Sequence, residues 1–175
     1  MISKQLALDV INYATSTGAD FAEIFYEDST SKVITVENDK VDSVNSSNIN
    51  GVGLRLLKGT KSVYGSTSDL SRKSLIALAD TLAKYFEGER VLEKITGFTK
   101  VPVKRIHKKY TSVFSVPTQD VINYLKKATS IVKDYSAEVR KSNATMIMKE
   151  SKIVIFNIIF LKLSKNSSSI FAIVV

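Results

Sequence analysis

The chain has no cysteine among its 175 residues. That excludes a disulfide framework, a thiolate metal site and a cysteine nucleophile, and it favours a reducing, cytoplasmic setting. There is a single histidine, His107. Zinc sites lean on His and Cys, and a Ser-His-Asp device needs a His, so this one residue would have to carry any such chemistry. Long apolar runs are also missing. The densest, residues 153–163, is broken by Asn157 and Lys162, well short of the roughly 18 continuous apolar residues of a membrane span. No membrane partner is expected. The N-terminus carries Lys4 and Asp9 inside its apolar stretch and repeats with helical period, so it reads as a helix of a folded domain, with no secretory signal visible.

What remains is ordinary globular material, 44% hydrophobic and 24% charged, long enough for one domain or one domain plus part of a second. The net charge of +8 is unevenly placed. Residues 1–99 hold 11 Lys and Arg against 13 Asp and Glu, a charge of −2, and residues 100–175 hold 14 against 4, a charge of +10. Such asymmetry fits a nucleic-acid surface, or more blandly a solvated face that meets an acidic partner.

Residues 50–86 are the most informative. Val52, Leu54 and Leu56 alternate with Gly51, Gly53 and Arg55, the period of a strand with one buried face. A turn at Lys58-Gly59 leads into a second alternating run over 61–67, so the pair reads as a hairpin. The period then changes: Leu75, Leu78, Ala79, Leu82, Ala83 and Phe86 form one stripe of a helix, with Ser68, Asp69 or Ser71 available as N-cap and Gly88 as a stop.

Upstream, Ser3 caps a helix whose inner face is Ala7, Val10, Ile11 and Ala14, ended by Thr17-Gly18. Residues 21–28, 32–37 and 40–46 read as three short strands, divided by Ser29-Thr30-Ser31 and by a tight turn at Asn38-Asp39 whose side chains tolerate positive φ. With the hairpin this predicts an α+β fold, an antiparallel sheet of about five strands between two helices, because connections this short leave no room for parallel crossovers.

Downstream, residues 87–100 read as a surface connection. Residues 101–114 hold Pro102 and the basic cluster Lys104, Arg105, His107, Lys108 and Lys109, and read as loop or edge strand. Pro117-Thr118 starts a third helix with Val121, Ile122, Leu125, Ala128 and Val132 inward. Strands are expected at 144–149 and 152–160, and residues 170–175 read as a strand that needs a partner. The organisation expected is an N-terminal core, 1–99, continued by 100–175, the two forming one domain.

Four short blocks then point to a family: Gly18-Ala19-Asp20-Phe21-Ala22-Glu23; Val36-Glu37-Asn38-Asp39-Lys40-Val41 with Ser46-Ser47; Gly51-Val52-Gly53-Leu54-Arg55; and Tyr64-Gly65-Ser66-Thr67-Ser68-Asp69-Leu70-Ser71. In order and spacing they resemble the N-terminal domain of the TldD/PmbA family, zinc-dependent peptidases whose older name links them to DNA gyrase. The resemblance is clear over about residues 5–85 and continues, weaker, through 118–160.

The resemblance implies an α+β N-terminal domain ahead of a β-rich C-terminal domain that holds the metal motif His-Glu-x-x-x-His. This sequence has no such motif, so it reads as stopping short of that domain, and no catalytic or metal-ligating residue is carried over. Zinc is expected only in the C-terminal domain of a metal-bearing parent. The expected partners are another TldD/PmbA-type subunit, as homo- or heterodimer, and an unfolded peptide substrate. The expected function is a non-catalytic domain contributing to substrate admission and subunit pairing. The alternatives are a nucleic-acid-binding module built on the basic cluster 104–109 and a free-standing interaction domain. For peptide contact the hairpin offers Gly53, Arg55 and Tyr64: an open backbone, a carboxylate partner and a flat apolar ring. Gly51-Val52-Gly53 lacks the third Gly or the Gly-Lys-Ser of a phosphate loop.

Overall fold

The structure, a computed structural model, describes residues 1–86, 88–100, 111–158 and 161–174, with only the backbone path described for 100 and 161–174. In chain order the elements are α1 (Lys4–Ala14), β1 (Phe21–Glu37), β2 (Lys40–Lys58), β3 (Lys61–Thr67), α2 (Arg72–Ala83), β4 (Thr99–Lys100), a 3-10 turn (Val113–Ser115), α3 (Thr118–Tyr135), β5 (Asn143–Asn157) and β6 (Leu161–Val174). The strands form one sheet in the order β3-β2-β1-β5-β6-β4. The fold is α+β, as the sequence predicts.

Local chemistry sets the boundaries. The Ser3 hydroxyl accepts the Leu6 N–H at 3.1 Å and caps α1, and Ser71 does the same for α2 through Ser74 N–H at 3.2 Å. Both caps satisfy an N–H that has no partner within its helix. Asn38 and Asp39 adopt φ of 48° and 65°, the left-handed pair that a two-residue hairpin turn between β1 and β2 requires. Gly59, at φ 56°, turns β2 into β3, and the register runs from Lys58 opposite Lys61 to Val52 opposite Thr67. The Gly59 N–H is held by Asp20 Oδ2 at 2.7 Å.

The strand count differs from expectation. The five short strands expected before α2 are three long ones, because Ser29-Thr30-Ser31 does not break β1. Ser29 is buried and its hydroxyl donates to Ser151 Oγ of β5 at 2.9 Å, so the polar triplet is satisfied inside the sheet. Likewise 46–51 continues β2, and the separate strands expected at 144–149 and 152–160 are one, β5. Helix α2 ends at Ala83 rather than at Phe86, although Phe86 remains buried. β4 pairs parallel with β6, Thr99 beside Leu161. The basic cluster Lys104, Arg105, His107, Lys108 and Lys109 lies outside the described residues.

The chain divides into two compact units, and the long strands run through both. The first comprises Met1–Asp28, Ile49–Arg105 and Lys152–Lys165. Its core sets Ala7, Val10, Ile11 and Ala14 of α1 and Leu75, Ala79 and Leu82 of α2 against Ala22, Ile24 and Tyr26 of β1, Val52, Leu54 and Leu56 of β2, and Val154 and Phe156 of β5. These strand residues are all even-numbered, which is the period of two made visible. The second unit comprises Ser29–Asn48, Ile106–Ser151 and Asn166–Val175. There, Val121 and Leu125 of α3 and Val113 cover Ile34, Val36, Ala144 and Met148. Thr129 of α3 is also buried, and its hydroxyl donates to Asp39 Oδ1 at 2.8 Å.

Candidate functional site

In the first unit, the even-numbered side chains of β1 and β2 point to the helices, so the odd-numbered ones share the face the helices do not cover. Arg55 of β2 stands directly opposite Tyr64 of β3. Tyr64 is 62% exposed, and its ring lies over Gly53: a Cβ built on Gly53 would come within 2.8 Å of two ring carbons. Arg55 reaches the other way, with Nη2 3.2 Å from Glu23 Oε1 and the guanidinium carbon 5.8 Å from the centre of the Phe21 ring. The sheet therefore brings together the three residues singled out from the sequence and adds two from β1. Phe21 and Glu23 were missed there, although the alternation through Ala22, Ile24 and Tyr26 marks them as outward.

Gly65, one residue from Tyr64, belongs to the opposite face. A Cβ there would meet Leu78 Cδ1 at 2.8 Å, so this glycine lets α2 close on β3, whereas Gly53 makes room for an aromatic ring. β3 is the outermost strand at its end of the sheet. Its outer backbone edge has no neighbouring strand among the described residues, and Tyr64 stands beside that edge.

A second surface of the same unit is an open cleft of about 1280 Å³ between α1, α2 and the segment after Gly88. Its charged groups largely satisfy one another. Arg72 Nη1 is 2.7 Å from Asp9 Oδ2. The Tyr13 hydroxyl donates to Asp80 Oδ1 at 2.9 Å, and Lys84 Nζ sits 2.6 Å from Asp80 Oδ2. Hydrogen bonds from Lys84 and then Tyr13 hold the Asp80 carboxyl below its usual range, while the hydrogen bond to Asp80 and its charge raise Tyr13 above 10.0. Arg90 bonds the Thr15 hydroxyl at 3.2 Å and the Asn12 carbonyl.

Among the described residues no group of three or more His, Cys, Asp or Glu is arranged to hold a metal ion, so the zinc of the resembled family has no fitting site in them. No helix is long and apolar enough to cross a membrane. The arrangement sets together an exposed ring, a half-exposed cation paired with Glu23, and the outermost strand of the described sheet.

Residues 22–85 match the family described as PmbA/TldA metallopeptidase domain 1. Over that span the chain is similar to the first domain of TldD/PmbA-type proteins. Comparison with the curated proteins gave no match. Among solved structures, a Bacteroides thetaiotaomicron protein described as a "putative modulator of DNA gyrase" is similar at 17% identity and a TM-score of 0.71, over 98% of this chain and 41% of its own. A Thermotoga maritima protein of like description gives 13% and 0.69, over 96% and 38%. TldE from Thermococcus kodakarensis gives 12% and 0.63, over 95% and 38%. At these identities the likeness is one of fold, and it extends over both units. The chain spans about two fifths of the length of these structures.

Proposed function

We propose that this chain is the non-catalytic first domain of a TldD/PmbA-type peptidase, taking an extended peptide on the sheet face of Gly53, Arg55 and Tyr64 and pairing with a related subunit. The observation that carries the peptide reading is the Tyr64 ring lying over Gly53, opposite Arg55 and beside the outer edge of β3. A peptide that adds to this edge is held by main-chain hydrogen bonds common to every sequence. The ring adds a flat apolar contact, and Arg55, about half exposed, exchanges Glu23 for a peptide carboxylate. With no His-Glu-x-x-x-His in the sequence, hydrolysis falls to a metal-bearing domain outside it.

The test is a titration of the 175-residue chain with an unstructured peptide, followed through backbone amide signals. Shifts concentrated at 61–67 and 53–55 are expected. Tyr64→Ala, and Gly53→Val, which displaces the ring, are expected to weaken binding at least severalfold. Unchanged amide signals on β3, or equal affinity in both variants, would remove the peptide reading.

A further inference from the structure

The open cleft lies wholly within the first unit and is built on two helical stripes of the same period. α1 contributes positions i, i+3, i+4 and i+7 counted from Asp9, and α2 the same positions counted from Lys73. Residues at that spacing share one face of a helix, and each stripe is about 10 Å long at 1.5 Å per residue. Arg90 and Lys94 border the cleft from the segment after Gly88.

Its two carboxylates are already taken. Asp9 Oδ1 accepts the Gln5 amide at 3.0 Å while Oδ2 pairs with Arg72, and Asp80 accepts the Tyr13 hydroxyl and pairs with Lys84. Three cations lining the cleft have no such partner: no carboxylate among the described residues pairs with Lys73, Arg90 or Lys94. Arg90 is half-buried, and its guanidinium donates to two neutral oxygens, Thr15 Oγ1 and the Asn12 carbonyl. That leaves three of a guanidinium's five N–H groups for a ligand. A half-buried cation without a counter-charge is costly, and an incoming anion relieves the cost. Beside these cations stand the Tyr13 ring, 40% exposed, and Ile76 and Ala77.

Size and charge narrow the occupant. About 1280 Å³ exceeds the roughly 300–1,000 Å³ of a small-molecule pocket, and the cleft is open, so it suits a length of chain more than a metabolite. A nucleic acid fits badly. Its phosphates recur at every nucleotide and would meet Asp9 and Asp80 as well as the cations. Residues 1–99, with 11 Lys and Arg against 13 Asp and Glu, offer a long polyanion no net attraction. A polypeptide can set carboxylates at the cations and neutral side chains elsewhere.

We infer that this cleft docks a short acidic segment of another protein, its carboxylates on Lys73, Arg90 and Lys94 and an apolar side chain against Tyr13 and Ile76. Docking here selects for acidic sequence, whereas pairing with the edge of β3 does not depend on sequence. The inference goes beyond the proposed function and is independent of it, since none of the three cations lies on a strand.

The test uses the 175-residue chain carrying Tyr64→Ala, which weakens the β3 edge, and a fluorescent peptide of about twelve residues with four Glu around a central Leu. Fluorescence anisotropy is expected to show binding at least fivefold tighter than that of the same peptide with Gln in place of Glu. The affinity is expected to fall at least threefold as salt rises from about 0.05 to 0.5 M, where exposed charges are screened. Lys73→Glu/Lys94→Glu is expected to weaken binding at least tenfold with thermal stability retained, both side chains being exposed. Backbone amide shifts are expected over 9–16, 72–80 and 90–94. Absence of binding at several hundred micromolar, equal affinity for the two peptides, affinity untouched by the double variant, or shifts confined to 53–55 and 61–67 would each overturn the inference. So would tighter binding of a single-stranded oligonucleotide of the same charge. Loss of peptide binding at β3 in the unaltered chain bears on the proposed function alone.

Discussion

The side chain of Asn12 meets the backbone of Ile95 twice: Nδ2 donates to its carbonyl at 2.9 Å and Oδ1 accepts its N–H at 2.9 Å. One amide thus holds a segment 83 residues away against α1 and lets Ile95 and Phe98 pack on the first core. Phe98 reaches the Phe156 ring at 5.0 Å between centres, completing the seal. Asn12→Ala is expected to lower stability by about 1–3 kcal/mol, since two partly buried backbone groups lose their partner. Amide exchange at Ile95 should quicken first, and unchanged exchange there would show that the apolar contacts alone hold the segment.

The two glycines on opposite faces of the hairpin predict opposite outcomes. Gly65→Ala puts a methyl 2.8 Å from Leu78 Cδ1 in a packed layer, and overpacking of that kind costs about 1–3 kcal/mol. Gly53→Ala comes up first against the Tyr64 ring, the end of a side chain 62% exposed, so chemical denaturation should show a much smaller loss. Equal losses would mean that Tyr64 is pinned where it lies.

Thr129 is wholly buried, and its hydroxyl serves Asp39 at the hairpin turn. Thr129→Val keeps the volume and removes the bond. The expected loss is about 1–2 kcal/mol, less than a truncation would cause, because Asp39 keeps Lys133 at 3.7 Å and access to water. Denaturant midpoints of the unaltered chain and of Thr129→Val measure this, and a neutral Thr129→Val would show that water replaces the hydroxyl without loss.

Acid and alkali should loosen the first unit through different groups. Hydrogen bonds from Ser74 and Ser71 hold Asp69 below its usual 3.8, so the stability it contributes is complete above that value and falls as the pH drops through its folded pKa. Asp69→Asn is expected to flatten the acid limb of the stability profile below about pH 4. Tyr13 has the reverse sign. Its pKa is raised above 10.0 by the hydrogen bond to Asp80, so its contribution is complete below that value and is lost as the pH rises through the folded pKa. Tyr13→Phe should flatten the alkaline limb and, because the lost hydroxyl also helps hold Asp80 low, change the acid one only in the part Asp80 contributes. Unfolding followed from pH 2 to 11 in the two variants separates the effects.

Wherever the signal is a neighbour in sequence, the fold could be read from residues alone. Asn38-Asp39 announces its turn because both side chains tolerate positive φ, and Ser3 and Ser71 announce helix starts because a hydroxyl reaches an N–H three residues on. The stripes of α1 and α2 are visible because one face of each is buried. Failures occur where a distant residue decides. Ser29-Thr30-Ser31 looks like a break until Ser151 supplies a partner 122 residues away. Residues 40–50 show weak alternation because neither face is buried, so periodicity carries no information there. Thr129 is missing from the inward stripe read for the third helix, because only Asp39 beneath it gives its hydroxyl a buried partner. At the candidate site Gly53, Arg55 and Tyr64 were legible from the hairpin pattern, but the Arg55–Glu23 pair depends on which strand adjoins β2, and that is settled by the turn at Asn38-Asp39.

In the sheet, β1 lies between β2 and β5, and these two neighbours are made at very different times. β2 follows after a two-residue turn, whereas β5 begins at Asn143, on the order of 5–20 s later at about 5–20 residues per second of ribosomal synthesis. Throughout that interval one side of β1 has no strand to pair with, and Ile24 and Tyr26 lack the cover of Val154 and Phe156. A nascent chain of this sequence is therefore expected to engage holding chaperones after β3 has emerged and to be released only once β5 has cleared the exit tunnel. Translation speed through residues 90–140 then becomes a determinant of yield, a pressure that acts on codons rather than on side chains.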